Sequence, residues 1–367
     1  MPPDAPSLNA PPGQVPPARI LGNGSHWVLI TAAGTGASST GGYALTRWRW
    51  DRVADADGFF IYLRDRESGD FWSAGLAPAG KVPVRYAARS QPGIFAITRE
   101  DDGIEALLEV GVLPDAAAEI RRLTLHNRAA RRRSLDITSF AEVVLHDPAA
   151  HEAHPVFSKL FVQTEYSAGE RALVARRRPR ATGEHHPWLV HAVAADCDPE
   201  YETDRARFLG RGATLAAPAA LRSRDRLSGS TGNVLDPILS LRCKIELAPG
   251  ARTEVAFLLG AAPSRDGALA LGAHLASGGQ VGRLLAAAEA QARDRLRRLL
   301  VGEAEAEYWE ALAGAMLYGH AGLRAAPGLL SRAHGDLAAL GCFGLDPRSM
   351  LAVLPAEQPD GAALLPE

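Results

Sequence analysis

The sequence predicts a mainly β protein: a large antiparallel β-sandwich followed by an α-helical linker. Three observations carry that class. Period-two alternation dominates from Ile20 to about Ala262, no helical period interrupts it, and the period changes to a helical one after Ser264. The boundaries that follow are a flexible leader at 1–18, a sandwich at 19–262, a helical linker at 263–326 and an irregular tail at 327–367.

The leader is rich in proline, with no periodicity and no apolar core of the kind a signal peptide needs. In the sandwich, Leu135, Ile137, Ser139, Ala141, Val143 and Leu145 fall on one face, opposite Asp136, Thr138 and Glu142. That is the pattern of a long half-buried strand. Leu123 and Leu125 alternate before it, and 127–133 reads as a polar turn. Residues 242–247 and 253–259, joined by Ala248-Pro249-Gly250, read as a hairpin. Further strands are expected at 26–31, 44–50, 58–64, 94–99, 104–112, 159–166, 172–177 and 189–195.

Three helices are expected between 264 and 320, the first capped at Ser264-Arg265-Asp266. Val281, Leu284, Leu285, Ala288, Ala292, Leu296 and Leu299 form one apolar stripe, and Tyr308, Leu312 and Met316 begin another. Both stripes need a surface to pack on. After Pro327 the pattern dissolves, and little stable structure is expected there.

Bulk properties exclude several functions. The chain has 367 residues, 47% of them hydrophobic and 22% charged, so a folded protein of two or more units is expected. Its formal net charge of −2 provides no field for nucleic acid or an anionic membrane. No apolar run is long enough to span a bilayer. Cys197, Cys243 and Cys342 are far apart and odd in number, which suggests neither a disulfide framework nor a zinc site and fits a reducing compartment.

Local motifs are weak. The run from Gly34 to Gly42 feeds a strand without a following helix or a Gly-Lys-Ser/Thr, so it reads as a long hairpin loop rather than a phosphate cradle. Trp48 and Trp50 share one face of the expected strand, with Arg47 and Arg49 on the other. Indoles stack on sugar rings and guanidinium forks hold hydroxyls, but core packing and solvated arginines would produce the same pattern. Tyr62 and Trp72 are near in sequence. His151-Glu152-Ala153-His154 lacks zincin spacing, and His185, His186 and His191 form a loose cluster without acidic or thiol partners. The charge-dense segment from Tyr201 to Gly212 reads as an internally paired surface loop, or as one that presents Arg205 or Arg207 to a ligand. Arg131–Arg133 and Arg176–Arg178 read as solvated charges.

Longer strings are more specific. Ala44-Leu45-Thr46-Arg47-Trp48-Arg49, the run from Phe60 to Asp65, Trp72-Ser73-Ala74-Gly75, the run from Ser139 to Leu145, the run from His154 to Val162, Tyr201 to Gly212, and Gly232 to Ile238 occur in order. Together they resemble glycosyltransferase family 36, grouped with glycoside hydrolase family 94, in the copy found in bacterial cyclic β-1,2-glucan synthases. The resemblance spans about residues 20–326. It implies a galactose-mutarotase-like supersandwich joined by linker helices to an (α/α)6 barrel. In that family a barrel aspartic acid protonates the glycosidic oxygen and inorganic phosphate, the co-substrate, attacks the anomeric carbon.

Two departures stand out. Where the family has Gly-x-Gly-Tyr-Ser, the tyrosine position here is Ala37, followed by Ser38. The tail contains nothing like the barrel entry, so the barrel is expected to be missing and the chain inactive alone. The resemblance therefore implies no catalytic residue, no metal and no bound cofactor. It implies a β-glucan oligosaccharide ligand contacted by Ser38, Arg47, Trp48, Arg205 and Arg207, a barrel partner, and a cytoplasmic segment whose parent synthases reach the membrane through other segments. A stand-alone carbohydrate-binding module and an inactive remnant are the alternatives.

Overall fold

The 14-residue strand β11 (Arg133–His146) organises the molecule. A computed structural model describes residues 17–49, 56–276 and 279–318, together with 328, 331 and 332. The chain divides into two units, Met1–Tyr318 and Gly319–Glu367, and every element below belongs to the first. The expected leader up to residue 16, Trp50 and nearly all of the expected tail lie outside the described residues.

β11 is the spine of a nine-stranded antiparallel sheet. One of its edges pairs with β16 (Pro237–Leu247), which pairs in turn with β15 (Glu200–Asp204). Its other edge is shared. β5 (Phe59–Asp65) takes Leu135 to Ala141, and β4 (Tyr43–Thr46) takes Val143 and His146, with a register shift between the two. β6 (Phe71–Ser73) extends β5. β3 (Gly36–Thr40), β2 (His26–Thr31) and β1 (Ala18–Gly22) extend β4.

The second sheet has eight strands, β12 (Val162–Ser167), β13 (Ala172–Arg177), β14 (Trp188–Ala194), β17 (Arg252–Ala262), β10 (Ala118–Asn127), β9 (Ile104–Val112), β8 (Ile94–Asp101) and β7 (Arg85–Gln91), in that order. The pairings between the strands are antiparallel. The inward faces of the two sheets form one core that includes Val28, Leu45, Ile61, Trp72, Ile137, Leu241 and Phe257. The predicted antiparallel sandwich is the fold.

Several local expectations are corrected. β11 is buried on both faces, not one. Its outer face is covered by Phe208, Leu209, Leu215 and Leu221, carried on and after the short helix α3 (Arg205–Leu209) and on α4 (Ala219–Arg222). The polar residues of that face are paired: Asp136 binds Arg64 and Arg66, and Thr138 accepts from Arg242. The Gly34–Gly42 run is not a loop, because Gly36–Thr40 is a strand held between β2 and β4. A Cβ at residue 36 would sit 1.9 Å from the Leu29 carbonyl oxygen, which is why glycine stands there. The segment from Tyr201 is likewise a strand and helix rather than a surface loop.

Strand β4 stops at Thr46, so Arg47, Trp48 and Arg49 follow it rather than continue it, and the expected pairing of Trp48 with Trp50 lies outside the described residues. Tyr62 and Trp72 belong to buried clusters. Residues 155–159 form helix α2 (Pro155–Lys159), and β12 begins only at Val162. Two arginines read as solvated are buried: Arg133 ion-pairs Asp65 at 2.6 Å, and Arg177 donates to the Ser158 carbonyl at 2.7 Å. Cys197 and Cys243 form a disulfide, their Cα atoms 5.7 Å apart, because β15 pairs beside Cys243 and brings the preceding loop to it. That pairing removes the thiol-based case for a reducing compartment.

Three helices close the unit: α5 (Arg265–Ala276), α6 (Gln280–Arg298) and α7 (Glu303–Tyr318). Ser264 caps α5 through its hydroxyl, which accepts from the Gly267 N–H at 3.1 Å. Arg295, Arg297 and Arg298 end α6, and Glu303 and Glu305 begin α7, each opposing the local helix dipole. The surface that the first stripe needs is the second sheet, and α5 shares it. Ala268, Leu269, Leu275, Leu285 and Ala288 pack on Ile94, Ile120, Val174, Val190 and Leu258 of the second sheet. α7 crosses β1, where Gly314 is so close that a Cβ would meet the Ala18 carbonyl at 2.1 Å. No helix among the described residues is long and apolar enough to cross a membrane.

Candidate functional site

The β3–β4 hairpin turns on Gly41 and Gly42, both with positive φ (54° and 84°), as a two-residue turn with matching strand twist requires. This turn returns β4 along β3, which pairs on its other edge with β2. At the far end of β11, Asp147 caps α1 (Pro148–Ala153) by accepting from the Ala150 N–H at 2.9 Å. Proline begins both α1 and α2, which suits their first turns.

These pieces enclose a cleft of about 300 Å³. Its lining includes Ala37, Ser39 and Ala44 from the hairpin, Trp27 from β2, Arg47, Trp48 and Arg49 after β4, and His151 and Glu152 from α1. Trp27 is 42% exposed. Trp48 packs on Tyr318 of α7 with ring centroids 5.7 Å apart. Arg49 is salt-bridged to Asp57 at 2.8 Å.

Of the five residues expected to touch a ligand, Ser38, Arg47 and Trp48 line this cleft. The Ser38 hydroxyl is already committed, donating to the buried Glu119 carboxylate, and its N–H donates to Thr46 Oγ1 at 2.9 Å. Arg205 is turned to Glu142, with Nε 2.7 Å from Oε1, and is not part of the lining. Arg207 is more exposed and faces Asp204 at 3.6 Å and Ser228 at 3.4 Å.

Sequence reasoning missed Trp27, Glu142 and the cleft role of His151 and Glu152. For Trp27 the signal was ambiguous: Val28 and Ile30 take the core face of the 26–31 strand, but Leu29 on the face of Trp27 is just as apolar and is buried too. His151 is buried, and its Nδ1 has no hydrogen-bond partner. Burial pushes its pKa down to about 4, reinforced by Lys159, Arg47, His146 and Arg177, so the ring is neutral at ordinary pH. The expected cluster of His185, His186 and His191 does not form. His191 is in the core between Phe59 and Phe257, whereas His186 lies edge-on to Tyr43. Among the described residues no group of three or more His, Cys, Asp and Glu could hold a metal ion.

The sandwich and its cleft define a class that sequence comparison identifies. The profile of the glycosyl hydrolase 94 supersandwich domain matches residues 6–277, and the chain belongs to that family. It is 38% identical over 262 residues to the cyclic beta-(1,2)-glucan synthase NdvB of Rhizobium meliloti strain 1021, covering 68% of this chain and 9% of that protein. It is 29% identical over 240 residues to the solabiose phosphorylase of Paenibacillus borealis, covering 64% of this chain and 30% of that protein. A third relative, the N,N'-diacetylchitobiose phosphorylase of Vibrio proteolyticus, is 27% identical over 218 residues, covering 59% of this chain and 27% of that protein. The chain thus spans less than a third of each of these relatives.

Proposed function

We propose that this chain is the glycan-contacting sandwich segment of a cyclic β-1,2-glucan synthase or related glycoside-phosphorylase-type glycosyltransferase. In this reading the ligand is a β-glucan oligosaccharide. An (α/α)6 barrel partner carries the acid and the phosphate chemistry, and the sandwich supplies binding and no catalytic residue.

The observation that carries the proposal is the cleft lined by Trp27 and Trp48 over the small residues Ala37, Ser39 and Ala44, with Arg47, Arg49 and Glu152 on its border. A pyranose presents apolar C–H faces and a rim of hydroxyls. Indoles match the first, and guanidinium and carboxylate groups match the second. At about 300 Å³ the cleft is at the lower end of the roughly 300–1,000 Å³ typical of ligand pockets, which suits one or two sugar units of a longer chain. The 38% identity to a glucan synthase supports a β-1,2 linkage over others. A cytoplasmic location is inferred from the family resemblance alone.

Calorimetric titration with β-1,2-gluco-oligosaccharides, and with β-1,4-linked ones for contrast, tests the binding. Saturable heat favouring the β-1,2 series is expected, and a flat titration at millimolar ligand removes the reading. The chain mixed with β-1,2-glucan and inorganic phosphate should release no sugar phosphate. Release would overturn the division of labour between sandwich and barrel.

A further inference from the structure

We propose that Glu142 is the positioning residue of the cleft: it holds the Arg47 side chain against the glycan, and Arg205 and Lys159 act through it rather than on the ligand. The inference rests on the glycan reading of the cleft and deepens it.

Glu142 lies on β11, its side chain 6% exposed, and it does not line the cleft. Its Oε2 accepts from Arg47 Nη1 at 2.9 Å, and its Oε1 accepts from Arg205 Nε at 2.7 Å. Lys159 Nζ is 3.8 Å from Oε2. The Glu142 carbonyl also accepts from the Arg47 N–H at 3.3 Å. Backbone and side chain of Arg47 are therefore both tied to the spine strand of the nine-stranded sheet, a rigid reference of the kind a binding group needs.

The rest of the network explains why the carboxylate serves Arg47 in particular. Asp236 takes the other two cations: Lys159 Nζ bonds its Oδ1, and Arg205 Nη1 is 3.6 Å from its Oδ2. Arg47, by contrast, ion-pairs only with Glu142 among the described residues. Burial disfavours charge on Glu142, but attraction from Arg205, Arg47 and Lys159 outweighs it and holds the carboxyl below the usual range. It therefore stays ionised wherever a glycan would bind. Without that charge, a long and flexible arginine at a cleft border would lose its fixed rotamer.

A double-mutant cycle on binding by the full chain tests this, with β-1,2-gluco-oligosaccharide as the probe. Arg47→Met should weaken binding about tenfold, the scale of one charge-assisted hydrogen bond. Glu142→Gln should weaken it several-fold in the wild-type background and leave it unchanged in the Arg47→Met background. Glu142→Asp, which keeps the charge, should recover part of the affinity. An equal loss from Glu142→Gln in both backgrounds, or no loss in either, overturns the proposal. Should Glu142→Gln fail to fold, Arg205→Met takes its place: a loss that vanishes with Arg47→Met supports action through Glu142, and an equal loss in both backgrounds refutes it. A wild-type chain that binds no glycan refutes the glycan reading itself, and the positioning role with it.

Discussion

Replacing His191 by glutamine should reduce the acid sensitivity of the fold. His191 is fully buried between the two sheets. Its Nδ1 donates to the Leu258 carbonyl at 3.0 Å, which leaves Nε2 to accept from the Ser139 hydroxyl at 2.7 Å. Phe59 and Phe257 cover the ring, with centroids 5.2 and 5.7 Å away. Burial, with a smaller repulsion from Arg121, lowers its pKa from 6.5 to about 4. The folded state therefore resists a proton that the unfolded chain accepts. The stability tied to neutral His191 is complete above pH 6.5 and is lost as the pH falls from there toward 4. At about 1.4 kcal/mol per pH unit, the loss is about 2 kcal/mol by pH 5 and about 3 kcal/mol by pH 4. Urea unfolding at pH 7, 6 and 5 reads this directly. The wild type should lose about 2 kcal/mol more than His191→Gln between pH 7 and 5. Equal pH slopes in the two proteins would refute the burial argument.

Other perturbations follow from the same structure. Arg133→Met removes the 2.6 Å ion pair from buried Asp65, leaving it the Glu67 and Ser68 N–H groups and Arg131 at 3.8 Å, and should cost about 1.5–3 kcal/mol in urea unfolding; a loss below 1 kcal/mol would show that the pair is not sealed from water. Gly36→Ala drives a methyl group into the Leu29 carbonyl and should cost about 1–3 kcal/mol, read from the same unfolding curves; a neutral result would mean that β3 shifts freely. Trp27→Ala should leave unfolding within about 0.5 kcal/mol of wild type, as an outward-facing side chain should, while weakening oligosaccharide binding about tenfold or more in calorimetry; unchanged affinity would remove Trp27 from the site.

Much of the fold was legible in the sequence because sheet faces impose alternation. β9 shows it plainly: Ile104, Ala106, Leu108 and Val110 are buried and the residues between them are only half-buried. β3 was not legible. Gly-Ala-Ser-Ser-Thr carries no apolar alternation, and its strand character comes from pairing with β2 and β4 on either side. β15 was hidden for a related reason: the carboxylate of its buried Glu202 is satisfied by Ser228 and Ser230, from a loop beyond it in sequence. The buried arginines were misread because Arg133 finds Asp65 only once β11 pairs with β5.

The candidate site divides in the same way. Arg47 and Trp48 stood inside a family string, whereas Trp27 was hidden, because its strand is apolar on both faces and buried everywhere else. The Glu142 hub was invisible, because its partners Arg47 and Arg205 are 95 and 63 residues away in sequence. The helical linker shows a limit of a different kind. Its stripes were readable, but the outer face of the second sheet that receives them was not, since that face exists only after eight strands have paired.

The most direct measurement is a crystal structure of the chain grown with a β-1,2-gluco-oligosaccharide. Density for at least one pyranose between Trp27 and Trp48, within hydrogen-bond distance of Arg47, is the predicted result. An ordered oligosaccharide elsewhere on the sandwich, or an empty cleft at saturating ligand, would contradict it.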